Sequence, residues 1–238
     1  MKLALVTGGK RRVGAAIAKR LAADGWTLAL HSHHEIADEA VYPGAHGFVA
    51  DLADPDAADL LIDAVSSHFG TPPTLLVNNA SRFEWDDVAS MTPASLAGHH
   101  AVNAAAPVLL ALALSRTHAT GSVINILDQR IQNPNGDQLA YTLSKTALAG
   151  ATRTLAAALA PRWRINAVAP GLTLPTADYD DAKMARLTDA MPLKRLSQPD
   201  EIAAAVAYLS GALSVTGQTI FVDGGASLKS FDRDFVFL

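Results

Sequence analysis

The sequence predicts an α/β domain built on a single doubly wound parallel sheet with helices on both faces. Three observations predict it. Short apolar runs alternate along the chain with segments of helical periodicity. The first apolar run ends in a glycine turn that opens directly into a helical pattern. Half of the 238 residues are apolar, enough for one large core.

The elements follow in order. Leu3 to Thr7 reads as a buried strand ending at Gly8-Gly9, and apolar spacing from Val13 to Leu21 reads as a helix closed by Asp24-Gly25. Thr27 to His31 and Gly47 to Ala50 are the second and third strands, with a helix over Pro55 to Phe69. Thr74 to Val77 is the fourth strand, followed by one helix over roughly Ala94 to Thr117, and Ser122 to Leu127 is the fifth. An Ala- and Leu-rich helix spans Gln138 to Leu159 and stops at Pro161. Arg164 to Ala169 is the sixth strand, broken by Pro170-Gly171, and Ile220 to Val222 is the last. Strands separated by helices pair in parallel through right-handed crossovers. No linker or repeat divides the chain, so residues 1–238 are expected to form one domain. The segment 174–195, with two prolines and mixed charges, is expected to be a substrate lid.

A formal charge of -4 gives no basic face for nucleic acid. The absence of cysteine excludes thiolate chemistry and suits a reducing compartment. The N-terminus runs straight into a strand, and no apolar run approaches a membrane span. A cytoplasmic protein acting on a small molecule is expected.

Thr7-Gly8-Gly9-Lys10-Arg11-Arg12-Val13-Gly14 lies at the first strand-to-helix turn. Glycines there let the backbone approach a pyrophosphate, which the helix N-terminus attracts. This is the Rossmann-type arrangement, and Gly8 and Gly14 are its candidates. An acid after the second strand would select NAD. Here Ser32, His33 and His34 stand in that place; they donate hydrogen bonds, and Arg11 adds charge, so NADPH is expected. A metal site built on the three histidines is the rival reading, and a solvated loop the plain one. Asp51-Leu52 follows the third strand, where a carboxylate accepts either from an adenine amino group or from a helix N-terminus. Asn78-Asn79-Ala80 follows the fourth strand, beside the cofactor position, where Asn side chains tie loops together.

Tyr141 and Lys145 are four apart in the long helix and share a face. An ammonium beside a phenol lowers the phenol pKa from about 10, making a tuned acid–base unit.

Taken together, Thr7-Gly8 with Gly14, Asp51-Leu52, Asn78-Asn79-Ala80, Asn103, Tyr141 with Lys145, Pro170-Gly171, Thr216-Gly217-Gln218 and Val222-Asp223-Gly224-Gly225 resemble the short-chain dehydrogenase/reductase family over the whole chain. The resemblance implies that Tyr141 is the acid–base and that Lys145 also holds the nicotinamide ribose. It implies that Asn103 supports a water relay, that Asn79, Ala80, Pro170 and Gly171 line the cofactor, and that the assembly is a homotetramer. The C-terminal run Phe231 to Leu238, with three aromatic residues among charges, is expected to cross a subunit interface.

Two positions depart from the family pattern. Arg12 replaces the middle glycine of the first turn, and Asp128 replaces the serine thirteen residues before the tyrosine. Both resemble the pteridine reductase subgroup, which includes dihydromonapterin reductases, as do Ser81, Phe83 and Gly171-Leu172. That resemblance implies that Arg12 reaches cofactor phosphate and substrate, and that Phe83 stacks a pterin on the nicotinamide. It further implies that Asp128 works with Tyr141 and that Ser81 touches cofactor or pterin. The physics agrees: an ionised Asp128 repels a developing oxyanion but suits a substrate presenting N–H donors. It also raises the Tyr141 pKa and keeps the phenol protonated. Asp128 as a strand-end cap and Phe83 as plain packing are the structural alternatives. Two other functions compete: a general carbonyl or 3-oxoacyl reductase, and a nucleotide-sensing protein without catalysis. Arg82 and Arg130 lie near these motifs without an assigned part.

Overall fold

The computed structural model describes residues 1–35, 42, 44–174 and 179–238. Seven strands form one sheet in the order β3-β2-β1-β4-β5-β6-β7. They are β1 (Leu3–Thr7), β2 (Thr27–Ser32), β3 (His46–Val49), β4 (Leu75–Asn78), β5 (Gly121–Ile126), β6 (Trp163–Pro170) and β7 (Thr219–Val222). Every adjacent pair is parallel. The order reverses direction at β1, and the cleft beside the C-terminal ends of β1 and β4 is where such sheets bind ligands.

The helices are α1 (Arg12–Ala23), α2 (Ala57–Phe69), α3 (Pro93–His100), α4 (Ala106–Arg116), α5 (Leu139–Leu159), α6 (Asp181–Ala190) and α7 (Pro199–Gly211). Parallel strands covered on both faces need apolar residues throughout, and β1 is buried at every position. One face packs Leu61 and Ile62 of α2, Leu110 and Leu114 of α4 and Leu155 of α5 against Leu5 and Leu76. The other packs Ile17 and Leu21 of α1 and Ile202 and Val206 of α7 against Val6, Val77 and Ile124.

Two elements differ from the sequence expectation, the helix after β4 and α7. The expected helix over Ala94 to Thr117 begins at Pro93, behind a Thr92–Ser95 capping box, and carries a π-helical turn at Ala101–Ala105. The run Pro93–Arg116 is, by length and composition, long enough to cross a membrane, contrary to the sequence reading. Leu110, Ala111 and Leu114 within it belong to the core. Helix α7 is not expected from the sequence, although Gln198 and Glu201 form a capping box at its start and Pro199 takes its first position.

Of the expected lid 174–195, residues 175–178 lie outside the described ones. The remainder contains α6, whose Leu187 joins Met191, Leu196, Ala226 and Phe235 in a small separate cluster. The C-terminal run thus packs against α6 and the cleft of its own chain.

Candidate active site

A continuous cleft of about 1540 Å³ opens along the C-terminal ends of the strands. Small-molecule sites usually measure about 300–1000 Å³, so this one has room for a dinucleotide and a substrate together. Every residue expected to be catalytic or to touch cofactor or substrate lines it except Asn103; Asn78 is buried behind it, bonded to Asn125.

At the first turn, a Cβ on Gly14 would stand 2.1 Å from the Gly8 carbonyl oxygen and 2.7 Å from Asn79 Nδ2, so only glycine fits there. Arg12 has φ 51°, the left-handed conformation of the glycine it replaces, at a cost of about 1–2 kcal/mol. Helix α1 begins with no side-chain cap and no acid in its first turn. Its leading N–H groups, with Arg11 and Arg12 beside them, form an anion-binding end that fits a pyrophosphate.

Two latches hold this turn. Thr7 Oγ1 accepts from the Asn79 and Ala80 N–H groups, both at 3.0 Å, and Asn79 Nδ2 donates to Thr7 O and Gly8 O. His31 is buried, which pushes its pKa down. Its Nδ1 accepts from Gly8 N–H at 3.3 Å, which leaves Nε2 to donate to Ala50 O at 3.0 Å. The imidazole is therefore a neutral structural bridge. Ser32 Oγ donates to His34 O at 2.8 Å, so His33 and His34 are the exposed side chains at the end of β2. His33 Nδ1 lies 3.5 Å from Asp51 Oδ1, and Asp51 also accepts from Ala53 N–H. Among the described residues no group of His, Asp or Glu is arranged to hold a metal ion.

Midway along the cleft, Tyr141 Oη donates to Asp128 Oδ2 at 3.0 Å. Asp128, two residues beyond β5, accepts from Arg130 N–H at 2.9 Å through Oδ1. Tyr141 lies in the first turn of α5, which is fastened from afar: buried Asp86 accepts from Ala140 N–H at 3.2 Å through both oxygens. Burial pushes the Tyr141 pKa well above 10, and the Asp128 charge pushes it further the same way. Lys145 Nζ donates to Ile126 O at 2.8 Å and lies 5.7 Å from the Tyr141 ring centroid. Burial lowers its pKa to about 8, opposed by the Asp128 charge.

Asn103 is fully buried in the π turn, and its side chain is committed on all sides. Its Oδ1 accepts from Arg82 N–H and Ser81 Oγ, and its Nδ2 donates to Arg82 O and Ser144 Oγ. It therefore ties the loop after β4 to α5. That loop presents Phe83 over Tyr141, with ring centroids 4.7 Å apart and nearly perpendicular. At the end of β6, a Cβ on Gly171 would meet Asp223 Cα at 2.8 Å, so the strand end closes tightly on the loop after β7.

The family model described as enoyl-(acyl carrier protein) reductase matches residues 8–227. The chain belongs to the short-chain dehydrogenase/reductase family. Among family members, the chain is similar to the 3-oxoacyl-[acyl-carrier-protein] reductase FabG of Staphylococcus aureus. The two are 33% identical over 250 residues, covering 94% of this chain and 97% of that one. Among solved structures it is similar to FolM alternative dihydrofolate reductase 1 from Brucella canis, complexed with NADP. The TM-score is 0.86 at 38% identity, covering 98% of this chain and 96% of the other. A blue fluorescent protein from a metagenomic library, in complex with NADPH, superposes with a TM-score of 0.84 at 31% identity, covering 94% and 97%.

Sequence reasoning left Arg130, Gln138, Asp234 and Asp86 without a part. Asp234 and Asp86 act through partners 104 and 54 residues away, which no local pattern marks, whereas Arg130 and Gln138 also meet near neighbours, Asp128 and each other.

Proposed function

We propose that this protein is an NADPH-dependent reductase of a pterin-type substrate such as dihydromonapterin, dihydrobiopterin or dihydrofolate. The observation that carries the reading is the 3.0 Å hydrogen bond between Tyr141 Oη and Asp128 Oδ2. A ketone reductase develops negative charge on oxygen, which a neighbouring carboxylate repels. A carboxylate instead accepts from the ring N–H and amino groups that a pterin presents. Similarity at 38% identity to a protein named an alternative dihydrofolate reductase supports the same reading. Exposed Phe83, standing over Tyr141, supplies a stacking surface for a flat ring.

The cofactor is NADPH. Its support is the uncapped, arginine-flanked start of α1, the Ser32-His33-His34 end of β2, and similar structures complexed with NADP and NADPH. Gly8, Gly14, Arg11 and Arg12 hold its phosphates, His33 and His34 its 2′-phosphate end, and Asp51, Leu52, Asn79, Ala80, Pro170 and Gly171 line its path.

When bound, NADPH supplies a hydride to a ring carbon. Tyr141 gives its hydroxyl proton to the adjoining ring nitrogen and regains one from solvent through the open cleft. Its raised pKa keeps that proton in place until it is needed. Asp128 holds the phenol and orients the substrate N–H groups. Lys145 holds the nicotinamide ribose from the floor of the site, Asn103 fixes the Ser81–Phe83 loop, and Ser81 and Arg12 reach the substrate. Leu174 and Tyr179, described residues of the expected lid, line the cleft beside it.

Similarity to 3-oxoacyl reductases favours a second reading, general carbonyl reduction. An NADPH-oxidation screen over dihydropterins, oxidised pterins, ketones and 3-oxoacyl thioesters separates the two; turnover confined to the last two classes contradicts the pterin reading. Exposed Leu109 on α4 and Leu143 on α5 support assembly into a homotetramer through these helices. Sedimentation tests this, and a monomer would contradict it.

A further inference from the structure

Arg130 is the most confined cation beside the catalytic pair. Its residue is 7% exposed, and every nitrogen of its guanidinium has a partner. Nε lies 3.3 Å from Asp128 Oδ1, Nη1 donates to Gln138 Oε1 at 2.7 Å, and Nη2 donates to Asp234 Oδ2 at 2.6 Å. The guanidinium carbon is 5.3 Å from the Tyr141 ring centroid. Asp234 is 3% exposed and lies 104 residues further on, in the C-terminal run. It is itself fixed, because Oδ1 accepts from Val236 N–H and its own N–H donates to Asp137 Oδ2. Asp137 is clamped in turn by Arg233 Nε at 2.8 Å.

A planar guanidinium with five donors holds two carboxylates in a fixed relation, which a point charge does not. Here it joins the carboxylate that binds Tyr141 to one carried by the tail. Its third partner, Gln138, immediately precedes α5 in a left-handed conformation, φ 54°. The same side chain therefore fixes Asp128, the start of the helix bearing Tyr141, and the tail.

We propose that Arg130 is a positioning residue for the Asp128–Tyr141 pair, and that the C-terminal tail, through Asp234, holds Arg130 in place. The tail is thereby a structural part of the active site. Electrostatics agree with the geometry. Burial and the Asp128 charge push the Tyr141 pKa up, whereas the Arg130 charge pulls it down, so Arg130 limits how inert the phenol becomes. The proposal rests on the reading of Asp128 as a working carboxylate, and its test separates the two.

The experiment is a mutant cycle in the full chain, with dihydrobiopterin and NADPH as substrates. Arg130→Gln is made in the native background and with Asp128→Asn. In the native background, kcat falls roughly 10- to 100-fold, as displacement of a catalytic group by about 1 Å does. KM for NADPH changes less than about twofold, because the cofactor contacts are untouched. With Asp128→Asn present, Arg130→Gln costs less than about a further twofold, because both changes break the same arrangement. Asp234→Asn, which keeps the side-chain shape, lowers kcat in the same direction and also loses its effect with Asp128→Asn. If Arg130→Gln fails to fold because Asp234 is left buried without a partner, Asp234→Asn carries the same cycle, with circular dichroism and NADPH fluorescence reporting the fold. Equal losses in both backgrounds, or wild-type turnover in Arg130→Gln, overturn the proposal while the functional reading stands. Wild-type dihydrobiopterin turnover in Asp128→Asn overturns both.

Discussion

Phe83 meets Tyr141 edge to face, with ring centroids 4.7 Å apart and planes at 87°. It does so while 54% exposed, so one face of its ring is open to the cleft. On the proposed reading this open ring is a platform for a flat substrate. Phe83→Ala is predicted to raise KM for a dihydropterin about 3- to 10-fold, the worth of one aromatic stack. NADPH affinity, followed by fluorescence titration, stays at the wild-type value. An unchanged KM would make Phe83 a packing residue.

Tyr141→Phe keeps the ring and removes the proton. Steady-state turnover is predicted to fall roughly 10²-fold or more while NADPH still binds. The hydroxyl holds no buried backbone group, since its partner is Asp128, so the variant is expected to fold. Near-normal turnover would contradict the acid role.

Lys145 carries its proton below about pH 8 and loses it above, because burial disfavours the charge. On the proposed reading the charged form is the one that holds the ribose. kcat/KM for NADPH, which reports the free enzyme, is therefore predicted to be level below pH 8 and to fall as pH rises through it. The Asp128 charge favours the ammonium, so Asp128→Asn is predicted to move this limb to lower pH. A limb that stays in place or moves upward would contradict the coupling.

On the proposed reading, cofactor choice rests on Arg11 and on the Ser32-His33-His34 end of β2. NADPH is predicted to exceed NADH more than about tenfold in kcat/KM, a difference of about 1.4 kcal/mol. Arg11→Ala is predicted to lower the NADPH value and narrow the ratio. Equal values for both cofactors in the wild type would contradict the assignment.

The sheet was legible because buried parallel strands are continuous apolar runs and the intervening helices have their own period; β1 occupies the residues read for it, Leu3–Thr7. The π turn at Ala101–Ala105 was not, since one widened turn leaves no mark on apolar spacing. Asp128, Tyr141 and Lys145 come together because they lie on adjoining local elements, a strand end and one helix face. Asp86 meets the start of α5 across 54 residues and Arg130 meets Asp234 across 104, so neither link is legible locally, although Arg130 also meets Asp128 two residues away. Such pairs depend on the completed fold.

The central claim is that the Asp128 carboxylate, bonded to Tyr141, directs the site toward a pterin. The most direct measurement is kcat/KM of wild type and Asp128→Ser for dihydrobiopterin and for a 3-oxoacyl thioester. Wild type is predicted to prefer the pterin, and the variant to lose roughly 10²-fold or more on it, the cost of losing acid–base assistance. Turnover of the thioester is predicted to hold or rise, because a hydroxyl donates to the oxyanion that a carboxylate repels. A wild-type preference for the thioester, or undiminished pterin reduction by Asp128→Ser, would contradict the claim.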